Sequence, residues 1–324
     1  MSKVDVLCLG ELMLDMVARG SSPTSVEGFD MKPGGAAGNV AVAVARLGGK
    51  AGVLAKVSDD FFGGYMKRVM EENGVDTSGV IMDADRKIAM AFVTFDEEHR
   101  PSYLFYRENS ASASFSEEEM NPEMYEGVKV LYFSSMGLVR DPLRTANYVA
   151  ANLAEHAGAR VAFDPNIRFG VWPNRESVRA EVLRMMHHVH ICKMNDEELS
   201  FLFGEGSLED KCREILATYP KMELVAITLG PEGAFIMNHD GVCARAYAQD
   251  NDVLDTVGAG DSFFATLLHQ VILNHFQLDT EEKLKTALEY ANSAALLTAK
   301  RPGAIPAMPY LEEVERMREN AQRV

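Results

Sequence analysis

Short apolar runs alternate with amphipathic helical segments along most of the chain. Residues 4–10 read as a buried strand. Val40, Ala43, Val44 and Leu47 share one helical face, which Gly48-Gly49 ends, and residues 51–57 read as the next strand. Phe62, Met66, Val69 and Asn73 align on a second helix that stops at Gly74. The later chain repeats this rhythm. Apolar runs at 128–134, 160–164, 189–194 and 224–229 are separated by helical segments around 143–154, 177–188, 197–202 and 208–217. Residues 263–273, 283–297 and 311–322 read as helices. Short buried strands separated by helices predict a parallel sheet covered on both faces.

Two segments break the rhythm. Residues 13–32 carry no helical pattern. Residues 81–108 contain IAMAFVTFD and SYLFYRE, which alternate like strands of an antiparallel sheet. They are expected to form a small β lid over the strand ends, the other reading being ordinary surface hairpins. The resulting division is 1–12, 33–80 and 110–324 for the α/β body and 13–32 with 81–109 for a discontinuous lid.

Composition narrows the class of function. The chain has 324 residues, 47% hydrophobic and 25% charged, enough to bury a large core. Its net charge of −16 repels phosphate-rich partners, so neither nucleic acid nor an anionic membrane is expected. A nucleotide would need a locally favourable pocket. Cys8, Cys192, Cys212 and Cys243 show no CxxC spacing and are expected to be reduced thiols. The opening MSKVDVLCLGELMLD is too acidic for a secretory signal, and no apolar stretch reaches the ~18 residues a bilayer demands. A cytoplasmic location is expected.

The sharpest motif is LDTVGAGDSFFATLL, residues 254–268. Gly258, Ala259 and Gly260 are small residues at a helix start. They leave backbone N–H groups free at the positive end of the helix dipole, an anion hole suited to a phosphoryl group. Asp261 follows in the first turn. It can act as a base toward an attacking hydroxyl, or simply complement the dipole. There is no Walker A loop. Near the other end, Pro33-Gly34-Gly35-Ala36-Ala37-Gly38-Asn39 opens the first long helix. Its glycines permit close approach of a polyol to Gly34 and Gly35, and Asn39 can donate and accept, or serve as a helix cap.

Together, GGAAGNVAVAVARLGG and DTVGAGDSFFATLL resemble the two signatures of the PfkB (ribokinase-like) family of carbohydrate kinases, in the right order and more than 200 residues apart. The resemblance covers residues 4 to about 309. It implies a ribokinase-like three-layer α/β/α sandwich with a mainly parallel central sheet and a small β-sheet lid. It implies an ATP-dependent sugar kinase in which Asp261 is the base and Gly258, Ala259 and Gly260 form the anion hole. Lys193 to Glu198, KMNDEE, resembles the family's NxxE motif. Lys193 and Asn195 are then expected on the nucleotide side, and Asn195 with Glu198 would organise Mg²⁺ through its waters; the same pair also fits a capping box. Thr228, Gly230 and Gly233 resemble the turn beside the nucleotide phosphates and ribose. Asn292 resembles the helix position flanking the adenine.

On the acceptor side, Asp15 resembles the aspartate that binds sugar hydroxyls, joined by Gly34, Gly35 and Asn39. Asp164-Pro165-Asn166-Ile167-Arg168 with Trp172 resembles the DPNxR…LW segment of fructokinases, and Phe105-Tyr106-Arg107 their lid segment. Arg107 is expected to close over the acceptor and Arg168 to add positive charge near the reaction. Asp255, Val257 and Gly303 resemble a monovalent-cation region, so K⁺ is a candidate activator. Fructose is the expected acceptor. The alternatives are 2-keto-3-deoxygluconate, whose carboxylate the two arginines could pair with, and a catalytically silent sugar-binding protein on the same fold. Relatives that dimerise through the lid make a homodimer another expectation.

Overall fold

The computed structural model describes residues 4–20, 26–95, 101–248 and 253–321. The expected lid spans include 21–25 and 96–100, which lie outside the described residues.

The chain begins with β1 (Val6–Leu9), then leaves for a hairpin of β2 (Met13–Arg19) and β3 (Gly28–Gly34). It returns through α1 (Ala36–Arg46), β4 (Ala51–Ser58), α2 (Phe61–Glu72) and β5 (Asp76–Asp83). A second excursion makes β6 (Ala89–Phe95) and β7 (Pro101–Tyr106). Strands β8 (Val130–Ser134), β9 (Arg160–Asp164), β10 (Ile191–Asn195) and β11 (Leu224–Thr228) then alternate with helices. These are α3 (Leu143–His156), α4 (Arg175–Met185), and α5 (Asp196–Phe203) with α6 (Leu208–Thr218). The hairpin β12 (Ala234–Asn238) and β13 (Cys243–Ala246) precedes α7 (Ala259–Leu273), α8 (Glu281–Ala299) and α9 (Leu311–Ala321).

The large sheet has the order β13-β12-β11-β10-β9-β8-β1-β4-β5 and is parallel except for β12 and β13. Its inner strands are apolar on both sides because helices cover both faces. In β1, Val6 and Cys8 pack into the layer of α1, α2, α7 and α8, while Leu7 and Leu9 pack against α3 to α6. Successive strand side chains point to opposite faces, so one short run serves two cores. The chain fills one side of β1 with β4 and β5, then crosses to β8. Ligands in such sheets bind beyond the carboxyl ends of the strands at this reversal.

The small sheet has the order β3-β2-β6-β7. Its β2 pairs antiparallel with β3 and parallel with β6, and β6 pairs antiparallel with β7. Ladder positions Asp15, Ala91 and Phe105 form one cross-strand row and Val17, Val93 and Tyr103 the next. Both rows face the strand ends of the large sheet. Two boundaries differ from the sequence reading. Ile81, Met82 and Asp83 continue β5 in the large sheet, paired with Lys56, Val57 and Ser58. Pro33 and Gly34 still pair with β2 in the small one.

Candidate active site

Strand ends of the large sheet and the starts of α1 and α7 converge beneath the small sheet. A cavity of about 200 Å³ is lined there by Asp15, Asn39, Phe105, Asn166, Arg168, Lys193, Gly258, Gly260 and Asp261, among others. The residues singled out at the two ends of the sequence thus meet: Asn39 Nδ2 donates to Asp261 Oδ2 at 2.7 Å, across 222 positions.

Asp261 lies in the first turn of α7, whose cap is Gly258. Gly258 has φ 80°, and a Cβ there would lie 2.9 Å from the Ala304 side chain. Only glycine meets both the left-handed backbone and the close approach. The N–H groups that open the helix lack intrahelical partners, and that of Ala259 bonds back to the Thr256 carbonyl at 3.2 Å. Lys193 sits beside them. A Cβ on Gly260 would be 3.1 Å from its ammonium, which donates to Asp164 Oδ2 at 3.0 Å. Burial pulls the Lys193 ammonium down, but Asp164 and Glu198 more than reverse this, so it stays charged.

Asp261 is pushed up to about 6, chiefly by burial, with Asp164 adding to the rise while Asn39, Lys193 and Arg168 restrain it. Its Oδ1 receives only a long contact, 3.4 Å, from Asn166 Nδ2. That oxygen is available to take a proton from a hydroxyl. Asn39 Oδ1 is buried without a partner, an acceptor waiting for a donor from a bound molecule. Asp15 is pushed up to about 7 by burial and by the charges of Asp261 and Asp255, against the pull of Arg168. It stands against Gly34, where a Cβ would come within 2.4 Å of Asp15 Oδ2. Gly35 caps α1 and abuts the Glu11 carbonyl, 2.3 Å from an added Cβ.

Asn166 is a residue the sequence reading quoted without giving it a role. It adopts φ 40° in the turn after β9, a conformation asparagine tolerates better than most residues. The turn directs three donors at once. Asn166 N–H bonds to Asp164 Oδ1 at 3.1 Å, Ile167 N–H to Glu198 Oε1 at 2.7 Å, and the Asn166 amide faces Asp261. The Asp-Pro-Asn run was the available signal, since it marks a turn at a strand end. Arg168 follows on the cavity wall, one N–H donating to the Ile167 carbonyl at 3.2 Å.

The other expected residues fall into three places. Asn195 and Glu198 form a capping box on α5: Asn195 Oδ1 accepts from Glu198 N–H at 2.7 Å and Glu198 Oε2 from Asn195 N–H at 3.0 Å. Burial, with Asp164 nearby, pushes the Glu198 carboxyl up. Thr228, Gly230 and Gly233 lie at the end of β11 and in the turn beyond it. Asn292, on α8, donates to the Ala246 carbonyl at 3.0 Å and so ties that helix to β13. Asp255 joins two loops, accepting from Val257 N–H at 3.0 Å and Gly303 N–H at 2.9 Å.

Arg107 departs from its expected position over the acceptor. It is buried behind the cavity wall in an ion pair with Glu11, 2.9 Å apart, and it also donates to the Met136 carbonyl. Sequence spacing could not reveal this, because its partner stands 96 residues away.

A β-covered α/β/α sandwich with a buried carboxylate in the first turn of a helix that opens beside the cavity is the architecture of a ribokinase-like kinase. The profile of the pfkB family carbohydrate kinases matches residues 3–311, and the chain belongs to that family. It is an ATP-dependent carbohydrate kinase. It is 37% identical over 320 residues to fructokinase-1 of Oryza sativa subsp. japonica, covering 98% of each chain. Its fold matches the crystal structure of a Xylella fastidiosa fructokinase with bound ATP at TM-score 0.88 and 26% identity, covering 98% of both chains. A Vibrio cholerae O395 fructokinase bound to fructose, ADP and calcium matches at TM-score 0.84 and 26% identity, covering 98% of this chain and 99% of that one. No helix among the described residues is long and apolar enough to cross a membrane.

Proposed function

We propose that this protein is a fructokinase that transfers the γ-phosphate of Mg-ATP to fructose, giving fructose 6-phosphate, with Asp261 as the base. The observation that carries this reading is the Asp261 carboxylate, held by Asn39 through one oxygen while the other faces the cavity at the start of α7. An acceptor hydroxyl there would give its proton to Asp261 as its oxygen attacks the phosphoryl group. The N–H groups of the Gly258–Asp261 turn, with Lys193 beside them, would offset the charge that grows on the transferring phosphoryl oxygens. Asp15 and Asn39 would orient the sugar, and closure by Tyr103 and Phe105 would keep water from intercepting the phosphoryl group.

The fate of Arg107 favours a neutral acceptor. With that arginine held by Glu11, the cations on the cavity wall are Arg168 and Lys193, and Lys193 is already paired with Asp164, which leaves Arg168 to face Asp15 and Asp261. A carboxylate-bearing acceptor such as 2-keto-3-deoxygluconate would face two acids for one arginine, whereas a neutral polyol matches the balance. The intact base, anion hole and capping-box carboxylate likewise favour catalysis over a silent sugar-binding role.

For the nucleotide, we assign Lys193, Asn195, Thr228, Gly230, Gly233 and Gly260 to the phosphate and ribose side, with Asn292 near the adenine. Both Glu198 oxygens already accept backbone N–H groups, so Asn195 and Glu198 fit Mg²⁺ held through its waters better than direct ligation. Bound there with ATP, the ion would neutralise phosphate charge. Both oxygens of Asp255 are likewise engaged, so a K⁺ ion beside Val257 and Gly303 would rest mainly on carbonyl oxygens and brace the loop that Asp255 already joins.

The outer face of the small sheet supports a homodimer. Phe29, Phe92 and Tyr106 stack edge to face there, and Leu104 and Tyr106 are 59% and 61% exposed. Sedimentation as a monomer at micromolar concentration would remove this assignment. The four cysteines are free thiols, in keeping with a reducing cytoplasm.

The deciding experiment measures ADP release from Mg-ATP with fructose, 2-keto-3-deoxygluconate, ribose, glucose, tagatose and adenosine, each with and without K⁺. The expected outcome is a kcat/KM for fructose at least about tenfold above every other acceptor, a gap that differential hydroxyl contacts readily supply. Preference for the keto-deoxy acid would overturn the substrate assignment and leave the mechanism standing.

A further inference from the structure

The chain passes between the large sheet and the small one at four places, and one buried ion pair joins two of them. Glu11 lies in the crossing from β1 to β2, directly after the strand end at the sheet's reversal point. Arg107 lies where β7 runs back into the body. The guanidinium grips the carboxylate with Nε at 3.1 and 3.2 Å from its two oxygens and Nη2 at 2.9 Å from Oε1. Both residues are more than nine-tenths buried.

The pair reaches further than its two strands. Arg107 Nη2 also donates to the Met136 carbonyl at 3.1 Å, and Met136 is a wall of the cavity. Ser112 Oγ donates to Glu11 Oε1 at 3.2 Å, and Ser110 Oγ lies 3.1 Å from it. The third crossing, between β5 and β6, is drawn in by a backbone bond from Ala111 N–H to the Lys87 carbonyl at 2.8 Å. Two residues back from Arg107, Phe105 faces the cavity; four residues on from Glu11, so does Asp15. The period of two along each strand transmits the anchoring of its end to these side chains.

A buried ion pair contributes little to stability compared with an apolar pair of the same shape, because both charges must leave water. Its planar, bidentate geometry fixes direction instead. We infer that Glu11 and Arg107 are positioning residues that set the small sheet over the cavity, and thereby place Asp15, Tyr103 and Phe105 against the sugar. They act through those residues rather than by touching the sugar. This rests on the reading of the cavity as the acceptor site.

The test compares steady-state constants and thermal stability of the full-length protein for Glu11→Gln, Arg107→Lys and the double variant Glu11→Leu/Arg107→Met. Glu11→Gln and Arg107→Lys keep size but lose the charged fork. Each is expected to raise KM for the sugar about tenfold while KM for ATP stays within about twofold, since only the sugar is held by the small sheet. The double variant removes both charges and is expected to recover the melting temperature but not the sugar KM. If Glu11→Gln leaves the sugar KM unchanged, or if the double variant restores KM together with stability, the pair is structural only and the inference fails. If the unaltered protein phosphorylates no sugar, the cavity assignment itself falls, and this inference with it.

Discussion

Two groups of acids stand within one site and are bonded in opposite ways. Behind the cavity walls, Glu11, Asp164 and Glu198 have their oxygens filled by donors: an arginine and a serine for the first, a lysine and a backbone N–H for the second, two backbone N–H groups for the third. Facing the cavity, Asp261 has one short bond from a neutral amide, and Asp15 has no hydrogen-bond partner among the described residues. The filled acids hold turns in place, as the donors at Asn166 and Ile167 show. The unfilled ones are pushed up to about 6 and about 7, chiefly by burial, which raises the filled Glu198 as well, so what sets them apart is the oxygen left without a close donor. A carboxylate left short of donors is costly to fold, and that shortfall is what leaves it able to receive a proton or a sugar hydroxyl.

The hardest test of this contrast replaces the base. Asp261→Asn keeps the shape and the N-terminal position on α7 but cannot take a proton. Turnover is expected to fall by about 10²–10⁴, the range for loss of general base catalysis, with sugar affinity by calorimetry nearly unchanged. Turnover within about tenfold of the unaltered protein would remove Asp261 from the proton transfer.

A smaller effect should come from Asp15. The two raised acids interact, so the acid limb of kcat/KM is expected to show apparent values near 6 and 7 that belong to the pair. In Asp15→Asn the step near 7 should be lost and the remaining limb should stay near 6, because burial and Asp164, not Asp15, hold Asp261 up. The stability effect has a definite sign. Asp15 binds its proton more tightly when folded, so its ionisation destabilises the fold as pH rises from its ordinary value of 3.8 to about 7. Asp15→Asn should therefore stabilise the protein by up to about 4 kcal/mol at pH 8, with the gain vanishing near pH 4. Equal melting temperatures of the two proteins at pH 8 would show that Asp15 is better solvated than the cavity implies.

The smallest effect concerns a residue on the filled side of the contrast, far from the sugar. Asn292→Ala leaves the Ala246 carbonyl without its donor and is expected to cost about 1–3 kcal/mol in urea unfolding, with KM for ATP shifting less than about threefold. A large rise in KM for ATP at unchanged stability would instead make Asn292 a nucleotide contact.

The sequence by itself determined the strand-helix alternation, the helix start at Gly258–Asp261, the turn at Gly34–Asn39 and the alternating strands of the small sheet. Each is a local pattern: periodicity, a small residue where the backbone turns left-handed, a polar residue at a helix end. Local pattern was weaker where strands were short or irregular. Strands β5, β12 and β13 were not picked out, since their identity depends on the edge they extend rather than on their own alternation. Tertiary structure alone decided which acids are filled. Whether Arg107 reaches a sugar or Glu11, whether Asn166 faces Asp261, and whether Asn292 meets a carbonyl are questions of which atoms lie within about 3 Å across tens to hundreds of residues. Burial, donor supply and charge at such contacts are set by the packed fold, and so the reactivity of Asp15 and Asp261 is a property of the assembled site rather than of the motifs that contain them.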